Sequence, residues 1–319
     1  MKLLVTGSSG FVGSAFVELA ESRGNNCIKQ RRSLNGESDD TIFLADLFSS
    51  TDWSLALKDI ECVVHCAAFV HQMKGEPEIE SYRRVNTEGT IALARQASEA
   101  GVKRFVFVSS IKVNGESTEI GFPFKPDVSI APSAPYGLSK FEAEQQLRSL
   151  SQEAGMEVVI IRPTLVYGPG VKANFASLMN LVSKGIPLPF GCITNNKRSL
   201  VSVDNLVDLI VTCIEHPKAA NQVFLVSDDH DVSTSEMVRQ MTLSLGKSTW
   251  QLPVPKWCYK LAGKVFGKQD VVDRLLGSLQ VDITHTKKTL GWTPPQTLEE
   301  GFKKTAEAFL QSKNNSGNI

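Results

Sequence analysis

Leu3–Phe16 reads "LLVTGSSGFVGSAF". An apolar, β-branched run gives way to three glycines and then to a helical pattern. Gly7, Gly10 and Gly13 stand where a strand hands over to a helix. Three glycines there allow a tight turn, close backbone approach to a pyrophosphate, and close helix–strand packing. The helix start adds free N–H donors and the positive end of its dipole. The spacing is G-x-x-G-x-x-G rather than G-x-G-x-x-G. The strand before it and the helix after it carry the reading, which is a dinucleotide site at the first strand–helix turn.

The same alternation continues outward. "NCIKQ", "CVVHCA", "RFVFVSS" and "EVVIIRP" read as short buried strands. Between them run helical patterns closed by Gly24, Gly101 and Gly155. Near-continuous apolar strands separated by helices predict an α/β fold, a doubly wound parallel sheet of Rossmann type covered on both faces, with right-handed crossovers. After about Gly168 prolines and glycines accumulate in "YGPG" and "GIPLPFG". Residues 1–168 are therefore expected to form the dinucleotide-binding domain. Residues 169–319 are expected to form mainly a smaller substrate lobe, with some segments returning to the sheet.

The 319 residues carry 34 Lys plus Arg and 34 Asp plus Glu. A neutral chain gives no reason to expect a nucleic-acid or membrane surface. The opening apolar run is too short for a signal peptide and has no cleavage-site pattern. No segment approaches the ~18 apolar residues of a membrane span, so a cytoplasmic protein is expected. Cys62 and Cys66, if on one strand, sit roughly 13 Å apart at ~3.3 Å per residue. A disulfide needs less than about 7 Å, so core thiols in a reducing compartment are expected. His65 and His71 have no ligand company at metal-site spacing, and no metal is expected.

The second strand bears on which dinucleotide is bound. An acidic residue at its end would favour NAD. Here the end reads "KQRRSLNG", with Arg31, Arg32 and Ser33 in that place. Arginine makes forked, charge-assisted bonds to phosphate. NADP is expected, with NAD as second choice. A further pattern stands in "APYGLSKFEAEQ", where Tyr136 and Lys140 share a helix face at i, i+4. A free phenol, with a pKa near ~10, is a poor base at neutral pH. A nearby ammonium favours the phenolate.

"TGSSGFVG", "FLADL", "VVHCAA", "VNTEGT", "FVSSIKVNG", "YGLSK" and "IRPTLVYGPG" occur in this order, followed by "KRSLVSVDNLVDLI" and "LGWTPPQTLEEGF". Together they resemble the extended short-chain dehydrogenase/reductases of the epimerase/dehydratase group, over nearly the whole chain. The resemblance implies that Ser110, Tyr136 and Lys140 are catalytic. Tyr136 would exchange a proton with a sugar hydroxyl or carbonyl, Ser110 would orient that oxygen, and Lys140 would also bond the nicotinamide ribose. It implies a cofactor lining of Gly7, Ser9, Gly10, Phe11, Val12 and Gly13, of Asp46 and Leu47 at the adenine, and of Cys66, Ala67, Ala68, Asn86, Ser109 and Pro163. Asp46 could equally be a turn residue, and Asn86 a buried amide bonding backbone. Against the substrate it places Ser110, Lys112, Asn114, Asn174, Pro189 and Arg198, with Arg198 on a diphosphate.

The implied reaction is hydride transfer at C4 of a UDP-linked hexose or N-acetylhexosamine, in surface-polysaccharide synthesis, by a homodimer. Dehydratases of this group place an Asp-Glu pair after the catalytic Ser/Thr, whereas Ile111 and Lys112 stand here. A 4-epimerase and a 4-ketoreductase stay open. So do an NADPH-dependent reductase of a small aglycone ketone and a non-enzymatic cofactor sensor.

Overall fold

The computed structural model describes residues 1–33, 40–70, 78–128 and 130–316. In chain order the elements are β1 (Lys2–Thr6), α1 (Phe11–Ser22), β2 (Asn26–Arg31), β3 (Ile42–Leu44), β4 (Cys62–His65) and α2 (Ile79–Tyr82). A π-helical stretch, Arg83–Gly89, continues α2 into α3 (Thr90–Glu99). Next come β5 (Arg104–Val108), a 3-10 turn at Ile111–Val113, α4 (Pro135–Ala154), β6 (Glu157–Pro163), β7 (Leu165–Tyr167), α5 (Ala173–Ser183), β8 (Arg198–Ser202) and α6 (Val203–Glu215). The chain closes with β9 (Val223–Val226), β10 (Asp231–Val232), α7 (Thr234–Ser244), α8 (Lys256–Val265), α9 (Gln269–Leu276), α10 (Thr284–Leu290) and α11 (Leu298–Ser316).

Among the described residues the main sheet has seven strands in the order β3-β2-β1-β4-β5-β6-β9, and every pairing is parallel. Strand order reverses between β1 and β4, where Thr6 pairs with His65. Ligands of open α/β sheets bind outside the carboxyl ends of the strands at such a reversal. Side chains alternate in direction along each strand. Leu3, Val5, Val106 and Val108 therefore join the core under α1, α6 and α10. Leu4, Phe105 and Phe107 join the opposite core under α3 and α4.

α4 starts on Pro135, whose missing N–H costs nothing at a helix start, and ends at Gly155 in left-handed backbone, φ 73°. A second, three-stranded sheet, β10-β8-β7, packs with α5, α7 and α11 around Tyr167, Phe175 and Phe302. β9 lies beyond Gly168 in the chain yet completes the main sheet beside β6. No helix among the described residues is long and apolar enough to cross a membrane. All six cysteines carry free thiols.

Candidate active site

β5 delivers Ser109 and Ser110 to the carboxyl edge of the sheet. The 3-10 turn follows at once, and the Ser110 hydroxyl oxygen accepts a bond from the Lys112 N–H at 3.2 Å. α4 lies tightly against this turn at Gly137. A Cβ there would fall 2.6 Å from the Lys112 carbonyl oxygen. The close approach brings Tyr136, in the first turn of α4, next to the Ser110 side chain. The Tyr82 ring stands edge-on to that of Tyr136, with centroids 6.0 Å apart. Burial pushes the Tyr136 hydroxyl up to about 12, the neighbouring Ser110 hydroxyl pulls the other way, and Tyr82 adds to the rise.

Lys140, one turn on, is 1% exposed. Its Nζ donates to the Val108 carbonyl at 3.0 Å and stands 4.3 Å over the Phe107 ring. Burial brings its pKa down to about 7, opposed by Glu144. Tyr136 and Lys140 thus share the helix face that their spacing predicts. The expected electrostatic help is not what dominates the phenol, whose largest influence is burial.

A fully buried ion pair lies behind this group. Arg162 of β6 donates Nε and Nη2 to the Glu144 carboxylate of α4, and both side chains are shut off from solvent. The Ser109 hydroxyl donates to the same carboxylate. Arg162 Nη1 donates to Asn114 Oδ1 at 3.0 Å and to the Pro126 carbonyl at 2.8 Å. Asn114 Nδ2 in turn donates to the Lys125 carbonyl. Both ends of the Asn114 amide, expected against the substrate, therefore pin the 114–126 segment. The Ser109 hydroxyl, expected on the cofactor, faces the interior. Sequence reading missed Glu144 and Arg162. The available signals were that Glu144 follows Lys140 by one helical turn and that Arg162 interrupts an apolar strand.

The glycine turn is shaped as its motif predicts. Gly7 has φ 66°, and a Cβ on it would fall 2.8 Å from the Ala67 Cα. A Cβ on Gly13 would fall 2.2 Å from the Gly7 carbonyl oxygen. Gln30, not singled out by its sequence, anchors the turn. Its Oε1 accepts from the Gly7 N–H, its carbonyl from the Ser8 hydroxyl, and its Nε2 donates to the Ala45 carbonyl. Ser9 and Gly10 are exposed at the tip, with Phe11 and Val12 half-buried behind them. Cys66, Ala67 and Ala68 continue from β4, and Pro163 ends β6, all at the same edge. Arg31 ends β2, with Arg32 and Ser33 exposed just beyond; Asp46 is exposed and Leu47 half-buried after β3. A turn in which any side chain on Gly7 or Gly13 would collide with backbone fits a dinucleotide pyrophosphate.

Asn86 clamps the site from the π-helical stretch. Its Oδ1 accepts from the Phe69 N–H at 2.7 Å, and its Nδ2 donates to the Phe69 carbonyl and the Ser139 hydroxyl. His65 is locked between Thr6 and Thr90, and burial pushes it down to about 3. His71 lies outside the described residues. Among those described, no group of three or more His, Cys, Asp or Glu side chains is placed to hold a metal.

Of the expected substrate residues, Lys112 pairs with Glu116 at 2.7 Å, and Pro189 is half-buried before β8. Arg198 opens β8, and its Nη1 donates to the carbonyls of Arg274 and Gly277 at the end of α9. Burial lowers its pKa. The side chain of Asn174 lies outside the described residues.

The model of the NAD dependent epimerase/dehydratase family matches residues 3–227. A UDP-glucose 4-epimerase of Vibrio cholerae is 63% identical over 317 residues, covering 98% of this chain and 96% of that protein. The N-acetyl-alpha-D-glucosaminyl-diphospho-ditrans,octacis-undecaprenol 4-epimerase of Escherichia coli is 28% identical, over 98% and 96% of the two chains. Among solved structures, a UDP-N-acetylglucosamine 4-epimerase from Bacillus cereus shares the fold with a TM-score of 0.80 at 19% identity, over 98% of this chain and 99% of that one.

Proposed function

The chain belongs to the NAD-dependent epimerase/dehydratase family, and from that premise we propose that it is a 4-epimerase of a UDP-linked hexose or N-acetylhexosamine. The observation that carries the reading is the 63% identity, over nearly all of both chains, to a UDP-glucose 4-epimerase. The site supports it. Tyr136 takes the C4 hydroxyl proton and later returns it, and Ser110, beside Tyr136, aligns the sugar oxygen. Lys140 contributes a cation beneath the pair and a donor for the cofactor ribose. A bound oxidised nicotinamide supplies the hydride acceptor and a further positive charge. Ile111 is buried and Lys112 is paired to Glu116, so the acid and base that elimination of water requires are not present after Ser110.

NAD is the resident cofactor in this reading, against the NADP preference drawn from Arg31 and Arg32. Its support is the family model, which describes NAD-dependent enzymes. Arg198 uses one nitrogen on the α9 carbonyls; the rest of its fork serves the diphosphate. Residues 1–168 act as the dinucleotide domain, completed by β9, and the remainder mainly as the substrate lobe. We further assign the enzyme to the cytoplasm, as a homodimer testable by sedimentation velocity. Its product becomes a sugar donor for surface polysaccharide, which a gene deletion that leaves the polysaccharide intact would refute.

The test is to incubate the purified protein with UDP-glucose, and separately with UDP-N-acetylglucosamine, adding no cofactor. Formation of the C4 epimer, with NAD released on denaturation, is expected. A protein that releases no cofactor, forms no epimer, and consumes NADPH in proportion to a UDP-4-keto sugar would instead be a ketoreductase.

A further inference from the structure

The sequence of α8 and its exit reads "KWCYKLAGKVFGK", Lys256–Lys268. Lys256, Lys260, Lys264 and Lys268 recur every fourth residue. Trp257, Leu261 and Val265 each follow a lysine, so they form a second stripe beside the first. Both stripes face solvent, with Lys256 at the start of the helix half-buried. Trp257 is 65% exposed, Leu261 55%, Val265 69% and Phe266 75%. Gly263 is the buried contact, where a Cβ would fall 2.8 Å from Val272 of α9. α8 and α9 therefore form a hairpin that packs at Gly263 and turns its large apolar residues outward. Trp250 before it and Val271 on α9 are also exposed.

We propose that the α8–α9 hairpin docks this protein on the surface of an anionic lipid bilayer. Trp257, Leu261, Val265 and Phe266 enter the headgroup region, and the four lysines pair with lipid phosphates. Charge complementarity identifies the occupant. Between 256 and 276 five cations stand against Asp270 and Asp273, in a chain that is neutral as a whole. Among the described residues no carboxylate pairs with Lys256, Lys260, Lys264 or Lys268. A helix with Trp, Leu and Phe on one side and Lys beside them is the pattern of a segment lying in the membrane interface. A protein partner fits less well, because lysine is depleted from the centres of protein interfaces, whereas here every apolar residue of the stripe has a lysine next to it. Lysine stems can cover apolar surface while their ammonium groups reach the phosphates.

The hairpin is joined to the substrate lobe at its far end. The carbonyls of Arg274 and Gly277 hold Arg198, and that of Leu275 accepts from Asn196 and Thr234. Docking therefore fixes the substrate lobe, rather than the main sheet, next to the lipid. The docking does not depend on which sugar the enzyme uses.

The experiment sediments the full-length protein with vesicles of phosphatidylcholine mixed with phosphatidylglycerol, and with vesicles of phosphatidylcholine alone. Binding to the anionic vesicles alone, weakening as salt is added, is expected. Reversing two charges in Lys260→Glu/Lys264→Glu should weaken it at least about tenfold. Trp257→Ser, at a mostly exposed position, should weaken it with melting temperature unchanged. Equal binding to both vesicle types, no binding to either, or full binding by the charge-reversed protein would overturn the proposal. So would a concentration-dependent dimer that Trp257→Ser dissolves, because the face would then belong to a second copy of the chain.

Discussion

Lys140 is a cation kept where the fold has to work against it. Its pKa falls from 10.5 to about 7 on burial. Between those values the unfolded chain binds the proton that the folded one has released, so folding stability rises with pH across that window. Lys140→Met, which keeps the bulk and removes the charge, should raise the melting temperature at pH 7 while cutting epimerisation by ~10²–10⁴-fold. A lower melting temperature would mean that the ammonium stabilises the fold. His65 has the corresponding sign at lower pH. Its folded pKa is depressed from 6.5 to about 3, so its contribution is present above 6.5 and is lost as pH falls towards 3. From pH 6.5 to about pH 5 this one side chain should cost about 2 kcal/mol of stability. Urea midpoints of the native protein and of His65→Asn, compared across that range, should diverge; parallel curves would contradict the assignment. At this scale the sequence showed what one element carries on its own: Gly7 to Gly13, Ser110, and the pair Tyr136 and Lys140. It did not show Gln30, Glu144 or Arg162, because their partners come from other elements. Gln30 reaches Gly7 and Ala45, and Arg162 reaches Glu144 and Asn114. Only the folded sheet makes them neighbours.

Among the elements, the contact of α4 with the 3-10 turn sets the geometry of the site. Gly137→Ala would place a methyl group 2.6 Å from the Lys112 carbonyl. The helix or the turn would have to move, costing about 1–3 kcal/mol and, through misplacement of Tyr136 from Ser110, ~10²-fold in kcat. Loss of stability with kcat preserved would show that the turn can yield without disturbing the pair. The glycine sits inside the Y-x-x-x-K motif as an unremarked x, and its role depends on a loop more than twenty residues away. The π-helical stretch was equally hidden. Over seven residues its period is too close to that of an α-helix for side-chain spacing to separate them. Its function is visible only in contacts: Asn86 on Phe69, Thr87 on the Ser139 carbonyl, and Arg83 forked onto Glu142. Such stretches recur at functional sites, and this one holds the loop after β4 against α4, the helix that carries Tyr136 and Lys140.

For the molecule as a whole, apolar runs and their spacing were enough to predict a doubly wound parallel sheet, because each buried strand announces itself locally. Which strand neighbours which is a long-range fact. β9 joins β6 across about sixty residues that include β7, α5 and β8 of the second lobe, and α6 and α10 cover the face that α1 leaves open. A fragment ending at Gly168 should therefore lack a cooperative thermal transition and bind a hydrophobic dye; a sharp melt would show that the first domain closes without β9. The same topology has a consequence for the protein while it is being made. β6 is finished long before the strand that covers its free edge. At ~5–20 residues per second of synthesis, that edge stays bare for roughly 3–12 s. During those seconds the nascent chain is a target for chaperones on the ribosome, and for its neighbours on the same messenger RNA if the chaperones fail.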